Sequence, residues 1–367
     1  MKSSRSIRIF TGISIATLAI SAVSALAFGT VSASINKIDA FAGIDKRPER
    51  MSSAINYLLV GSDTREGLTK AELKALRVGS VATAAGKRSD TMLLVHISKA
   101  RDKAVLVSIP RDSFALIPAH LNKSGKTIPA AYSKINSAFN WGGAPLLIQT
   151  IEEMTELKID HYIEVNFAGF AKVVDSLGGI EVCTKKDIDD PKSNLVLSAG
   201  LQTLNGIDSL KYVRTRYFDG QGDIGRMKRQ QEFMSAVLQK ATSTGTLLNP
   251  IKLVNFFNAA INTVTTDNDF NKNDLLTLGK QLKNLSADRV RTLTIPLATA
   301  NGRAAGVGSV VIWDSVLAPD LFNRLLNDQP IIDEVKATPS ASASPTTTIV
   351  DKFKTQTASD NACLSAK

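Results

Sequence analysis

Aspartate and arginine carry the chemistry open to this sequence. Asp63 lies in GSDTREG (61–67) and Asp90 in KRSDT (87–91), each beside a short apolar run. If those runs pair antiparallel, the end of one lies beside the start of the other, and both aspartates reach one sheet edge. Two carboxylates completed by phosphate oxygens and water form a donor set that suits Mg²⁺, with Mn²⁺ as the alternative. The bland alternative is a pair of turn caps.

A second cluster runs from Lys211 to Arg229. It holds six cations, Lys211, Arg214, Arg216, Arg226, Lys228 and Arg229, against two acids, Asp219 and Asp223. Arg214 and Arg216 share one face of an extended segment. Arg226, Arg229 or Gln230, and Phe233 share one face of a helix, which Phe233, Met234, Val237 and Leu238 continue as an apolar stripe. Arginines facing inward at the positive end of a helix call for an anion there. The planar guanidinium fork fits phosphate oxygens. A solvated surface run is the alternative, and the inward phase weighs against it. SIPRDS (108–113) adds Arg111 and Asp112 behind a strand ended by Pro110. Arg65 and Arg88 flank the two aspartates. Several arginines around one metal and a polyphosphate are the apparatus of phosphoryl transfer.

The elements that must position these residues alternate along the chain. INYLLVG (55–61), DTMLLVHI (90–97) and KAVLVSIP (103–110) read as buried strands, the last two as a hairpin. APLLIQTIEEMTEL (144–157) has helical spacing. HYIEVN is a strand, FAGFAKVVDSLGG a helix ended by glycines, and GIEVC a strand. Helical patterns return at 205–213, 226–241, 249–262 and 270–284. VRTLTIP and VGSVVIW read as strands and SVLAPDLFNRLL as a last helix. This interleaving predicts an α/β fold: a single α/β/α three-layer domain over 50–335 with a mixed central sheet.

The termini indicate the compartment. No charge falls between Arg8 and Lys37. Residues 9–31 are long enough to span a bilayer as a helix. Lys2, Arg5 and Arg8 precede them, which places residues 1–8 in the cytoplasm and the domain outside. A signal peptide cleaved near Ala25-Leu26-Ala27 is the rival reading. TPSASASPTTT (338–348) is low-complexity, so 336–367 reads as linker and tail. Outside the membrane a disulfide persists. Cys183 and Cys363 are the two cysteines, and they either pair across the domain or remain free thiols.

Composition and missing motifs narrow the chemistry. With 44% hydrophobic and 21% charged residues the chain can build a core, and the net charge of +10 calls for an anionic partner. Only three histidines are present, His96, His120 and His161, and no HExxH pair. His96, inside an apolar strand, reads as a satisfied core residue. KSGKT (123–127) lacks the first glycine of a P-loop, and there is no GxSxG, CxxC or evident helix-turn-helix.

The ordered blocks GSDTREG, RSDTMLLVHI, VSIPRDS, KINSAFNWGG, GGAPLLIQTIE, FAGFAKVVDSLGGIEV and LKYVRTRYFDGQGDIGRMKRQQEF resemble those of the LytR-CpsA-Psr family of cell-wall glycopolymer ligases, in versions similar to actinobacterial ones. The resemblance covers about 55 to 240. It implies transfer of a glycan, with one phosphate, from a polyprenyl-pyrophosphate carrier to a peptidoglycan hydroxyl. By that resemblance Asp63 and Asp90 bind Mg²⁺. Arg65, Arg88, Arg111, Arg214, Arg216, Arg226, Arg229 and Gln230 hold the pyrophosphate. Arg111, Asp112 and Asp223 are the catalytic candidates, with the general base open between the two aspartates. The lipid would need an apolar tunnel under the helices of 144–157 and 165–177. The implied partners are the lipid-linked donor, peptidoglycan and the membrane, with no nucleic acid. Teichoic acid and arabinogalactan are both open as the glycan. The alternatives are a transcriptional regulator, which requires the domain in the cytoplasm, and a polyprenyl-pyrophosphate hydrolase with water as acceptor.

Overall fold

A computed structural model describes residues 36–79, 89–122, 124–220, 222–243, 264–271, 274, 285, 287–336 and 347–357. The expected membrane segment, Arg88, Cys363, the 249–262 helix and most of the 270–284 helix lie outside the described residues. Among the described residues no helix is long and apolar enough to cross a membrane.

Eight strands form the central sheet: β1 (Asn36–Ile38), β2 (Ile55–Ser62), β3 (Ser89–Ile97), β4 (Ala104–Ile109), β5 (His161–Val165), β6 (Val264–Asp267), β7 (Val290–Thr294) and β8 (Gln356–Thr357). Their order is β1-β6-β5-β2-β3-β4-β7-β8. β5 pairs parallel with β2, and β7 with β4. β3 runs antiparallel between β2 and β4, joined to β4 as the expected hairpin. The sheet is therefore mixed, and β5, β2, β4 and β7 all point the same way.

Helices cover both faces because the strands alternate. Leu58, Val60, Met92, Leu94, Val105 and Val107 share a core with α2 (Ile135–Thr155) and α6 (Leu317–Leu326). Leu93 and Leu106 face the other way, toward Met234 and Leu238 of α5 (Gly222–Ser243). A one-residue slip would exchange these faces, so burial fixes the register. On the α5 side, α1 (Lys70–Ala75), α3 (Phe167–Ser176) and α4 (Gly206–Arg214) complete a second core around Val174, Leu210, Tyr212 and Phe233. α3 and α4 touch closely: a Cβ on Gly206 would fall 2.3 Å from the Ala171 carbonyl oxygen. α2 starts nine residues before the expected 144 and bends at Gly143 (φ 69°), just ahead of Pro145. Pro145 has no N–H to give and suits the first turn of the resumed helix. His96 is a core residue as expected, its ring nitrogens 2.8 Å from Asn56 Oδ1 and 3.3 Å from Asp328 Oδ1.

The folded unit is wider than the expected 50–335. Both edge strands come from segments that composition placed outside it. β1 pairs with β6, and β8 with β7. Thr347–Val350 returns to pair with Asp333–Lys336, so the chain beyond the Ser/Thr/Pro stretch docks on the domain. Phe353 enters the α2–α6 core at 5% exposure. Lys352 pairs with Asp320 at 2.5 Å. Short edge strands are hard to read because few residues carry the pattern. Phe353→Ala is expected to cost about 3 kcal/mol in chemical unfolding, a loss that a tail outside the core would not show.

Candidate active site

A cavity of about 380 Å³ opens between the sheet and α3, α4 and α5. Its apolar wall is Leu59, Leu93 and Leu106 of the sheet, Phe167 and Phe170 of α3, Leu210 and Val213 of α4, and Phe233 and Met234 of α5. Its polar wall includes Arg214, Arg216, Arg226, Gln230, Lys192 and Ser193. The volume lies in the usual range for small-molecule sites. Gly61 and Ser62 of β2, Ser108 of β4 and Val165 of β5 also line it, so it sits where those like-directed strands end. Open α/β sheets collect ligand-binding residues at that end. Of the two helices expected over an apolar tunnel, α3 lines this cavity and residues 144–157 do not. Those residues belong to α2, on the opposite face of the sheet.

Four of the expected site residues follow these strand ends. Asp63 and Arg65 follow β2; Arg111 and Asp112 follow β4. Gly61 pairs with Thr91 and Ser62 with Ser89, so the register shift leaves Asp90 as the extra residue of a bulge. Asp63 and Asp90 are thus at one sheet edge, as antiparallel pairing required. Bulges often re-aim side chains beside active sites. The Asp90 and Asp223 side chains lie outside the described residues, and Asp223 itself is in the first turn of α5. Among the described residues no group of three or more His, Cys, Asp or Glu could hold a metal. A cation at this edge would need its remaining ligands from substrate oxygens and water.

The α5 phase is as the spacing predicts. Arg226 is 3% exposed and Arg229 5%, with Phe233 buried one turn on. Their roles divide. Arg226 lines the cavity. Arg229 donates to Asp219 Oδ2 and the Thr215 carbonyl, both at 2.5 Å, and lies over the Phe218 ring. It shapes the 215–219 loop and is not among the lining residues. Arg214 donates to the Leu76 carbonyl (3.1 Å) and sits over Phe167. Gln230 Nε2 donates to the Val213 carbonyl at 3.1 Å.

The Arg111–Ser113 turn is fixed from several sides. The Asn136 N–H donates to the Arg111 carbonyl (3.1 Å), Val311 to Asp112 (2.9 Å) and Ile135 to Ser113 (2.8 Å). Trp313 Nε1 donates to Ser113 Oγ at 2.8 Å. Asp112 lies between Lys134 (3.3 Å) and Arg111 (3.6 Å). Such a scaffold orients charged groups before substrate arrives.

Two organising residues escaped the sequence reading. Gln231 Nε2 bridges Ser108 Oγ (3.1 Å) of β4 and Thr294 Oγ1 (2.7 Å) of β7. Its signal was its place in a second stripe, Met227, Gln231, Met234 and Leu238. The other is buried Asp190, which resembles any turn aspartate in sequence. It accepts N–H bonds from Lys192 (2.8 Å), Ser193 (3.1 Å), Arg216 (2.7 Å) and Tyr217 (3.1 Å). Burial alone would raise its pKa; the four donors outweigh that and hold it below the ordinary carboxylate range.

Because its folded pKa is depressed, the Asp190 contribution is complete above the unfolded value, roughly 4, and lost as pH falls through the folded one. Asp190→Ala is expected to cost about 3 kcal/mol in denaturant unfolding at neutral pH. The gap from the parent should shrink under acid. A gap independent of pH would contradict this.

Comparison with known proteins agrees with this fold. The LytR_cpsA_psr family matches residues 27–315. "Probable cell wall biosynthesis protein LcpB" of Corynebacterium glutamicum is 37% identical over 75% of this chain and 61% of its own length. The chain thus spans about three-fifths of that relative. The polyisoprenyl-teichoic acid–peptidoglycan teichoic acid transferase TagU of Oceanobacillus iheyensis is 30% identical over 74% of each chain. The crystal structure of Bacillus subtilis TagT superposes with a TM-score of 0.56 at 26% identity, covering 81% of this chain and 99% of that one. With the family match covering most of its length, the chain belongs to the LytR-CpsA-Psr family.

Proposed function

We infer that this chain is a membrane-anchored phosphotransferase. It moves a glycopolymer, with one phosphate, from a polyprenyl-pyrophosphate carrier to a peptidoglycan hydroxyl. The observation that carries this reading is one cavity with an apolar body and an arginine-lined wall at the strand ends. A polyprenyl pyrophosphate has the matching two parts. The name of the TagU relative supports the same substrate classes.

In this reading the isoprenoid lies along Phe167, Phe170, Phe233 and Met234. Arg214, Arg216 and Arg226 neutralise the pyrophosphate, with Arg65, Arg88 and Arg111 closing around it. The acceptor oxygen attacks the sugar-side phosphorus. The bond to the bridging oxygen breaks, and polyprenyl phosphate leaves with that electron pair. Asp112 or Asp223 takes the acceptor proton. Mg²⁺ on Asp63 and Asp90 would offset charge building on the phosphate oxygens. Arg111, set rigidly beside Asp112, meets the transferring phosphoryl group. Residues 9–31 hold the domain at the outer face of the membrane. A Cys183–Cys363 bridge would lock the tail to the strand at Ile180–Thr184.

Arg111→Ala, Arg216→Ala and Asp90→Asn are each expected to lower transfer by about 100-fold or more. The assay supplies a lipid-linked glycan and isolated peptidoglycan, with unfolding transitions as the folding control. Undiminished transfer in all three would overturn the site. Free glycan phosphate in place of a peptidoglycan conjugate would make the enzyme a hydrolase.

A further inference from the structure

The hairpin that follows Asp112 carries a feature that lipid binding does not use. Phe114–Ile117 pairs antiparallel with Ala131–Lys134, Phe114 opposite Lys134 and Leu116 opposite Tyr132. Ala115 and Ile117 enter the core with Ala138 and Phe139 of α2. Alternation therefore puts Phe114, Leu116, Tyr132 and Lys134 on the opposite face. Leu116 is 42% exposed and Tyr132 61%. The Phe114 and Tyr132 rings stack at 5.1 Å between centroids, 18° from parallel. At the end of this strip Lys134 meets Asp112 at 3.3 Å. A second stack, His120 on Trp141 at 5.7 Å, stands on the same stretch of chain.

Exposed aromatic rings rimmed by polar groups are a common feature of interaction sites. The occupant follows from the chemistry. The outer face of Tyr132, open to water and backed by the Phe114 ring, matches the C–H face of a pyranose. The Tyr132 hydroxyl, the Lys134 ammonium and the Asp112 carboxylate at its margin match sugar hydroxyl and acetamido groups. Three apolar side chains interleaved with charge are too little for a bilayer or an amphipathic helix to bury. The strip is also continuous with Asp112, one of the two candidate bases.

We propose that this face is the acceptor subsite: an aromatic platform that seats one sugar ring of a β-linked N-acetylated glycan strand and leads the next toward Asp112. It deepens the transferase reading and rests on it for the seated glycan being the acceptor. The test is direct titration of the detergent-solubilised full chain, without donor. The probe is a soluble fragment of alternating N-acetylglucosamine and N-acetylmuramic acid. Tyr132→Ala is expected to weaken binding by about tenfold, Tyr132→Phe to weaken it by less, because the ring stays and only the hydroxyl is lost, and affinity for polyprenyl pyrophosphate to stay unchanged in both. Binding in Tyr132→Ala equal to the parent, or no binding by the parent, overturns the platform. Failure of the transferase reading looks different: the parent binds the fragment in a Tyr132-dependent way but does not transfer a lipid-linked glycan to it.

Discussion

Two guanidinium groups buried under the first turns of α5 constrain the rest of this structure. A charge there, at the positive end of a helix, is costly unless acceptors meet it. Arg229 is met by Asp219 and the Thr215 carbonyl, and that demand shapes the loop between α4 and α5. The same loop carries Arg216 and Tyr217, whose backbone N–H groups are held by Asp190. Arg226, one turn earlier, lines the cavity. Arg229 thus organises the loop that carries Arg216.

The sheet supplies the second requirement, a fixed set of strand ends. Gln231 ties α5 to β4 and β7 through side-chain bonds, so the helix with the arginines cannot slide over the sheet. The Arg111–Ser113 turn is held by α2 and by the strand at Gly308–Trp313. Charged groups from several parts of the chain are therefore held in fixed positions by bonds within the fold.

Much of this was legible in the sequence. Apolar runs of strand length gave β2 to β5, and antiparallel pairing of β2 with β3 put Asp63 beside Asp90. The inward phase of Arg226, Arg229 and Phe233 was equally plain, because helical spacing leaves few choices. What the spacing could not separate was an arginine that lines a cavity from one that holds a loop, since Asp219 and Thr215 find Arg229 only in three dimensions. Asp190 was silent for the same reason: two of its donors, Arg216 and Tyr217, come from a loop 26 and 27 residues away. The edge strands β1 and β8 were missed because two or three residues carry no period, and the cavity wall was partly misplaced because α2 is as rich in apolar residues as α3. Only the parity of the strands decides which one meets the cavity.

In the proposed function one cavity receives both parts of a polyprenyl pyrophosphate. The most direct test is a crystal structure of the chain with that lipid bound. The isoprenoid is expected between Phe170, Val213, Phe233 and Met234, and the pyrophosphate against Arg214, Arg216 and Arg226. A lipid lying on the α2 face of the sheet, or a pyrophosphate remote from these arginines, would contradict it.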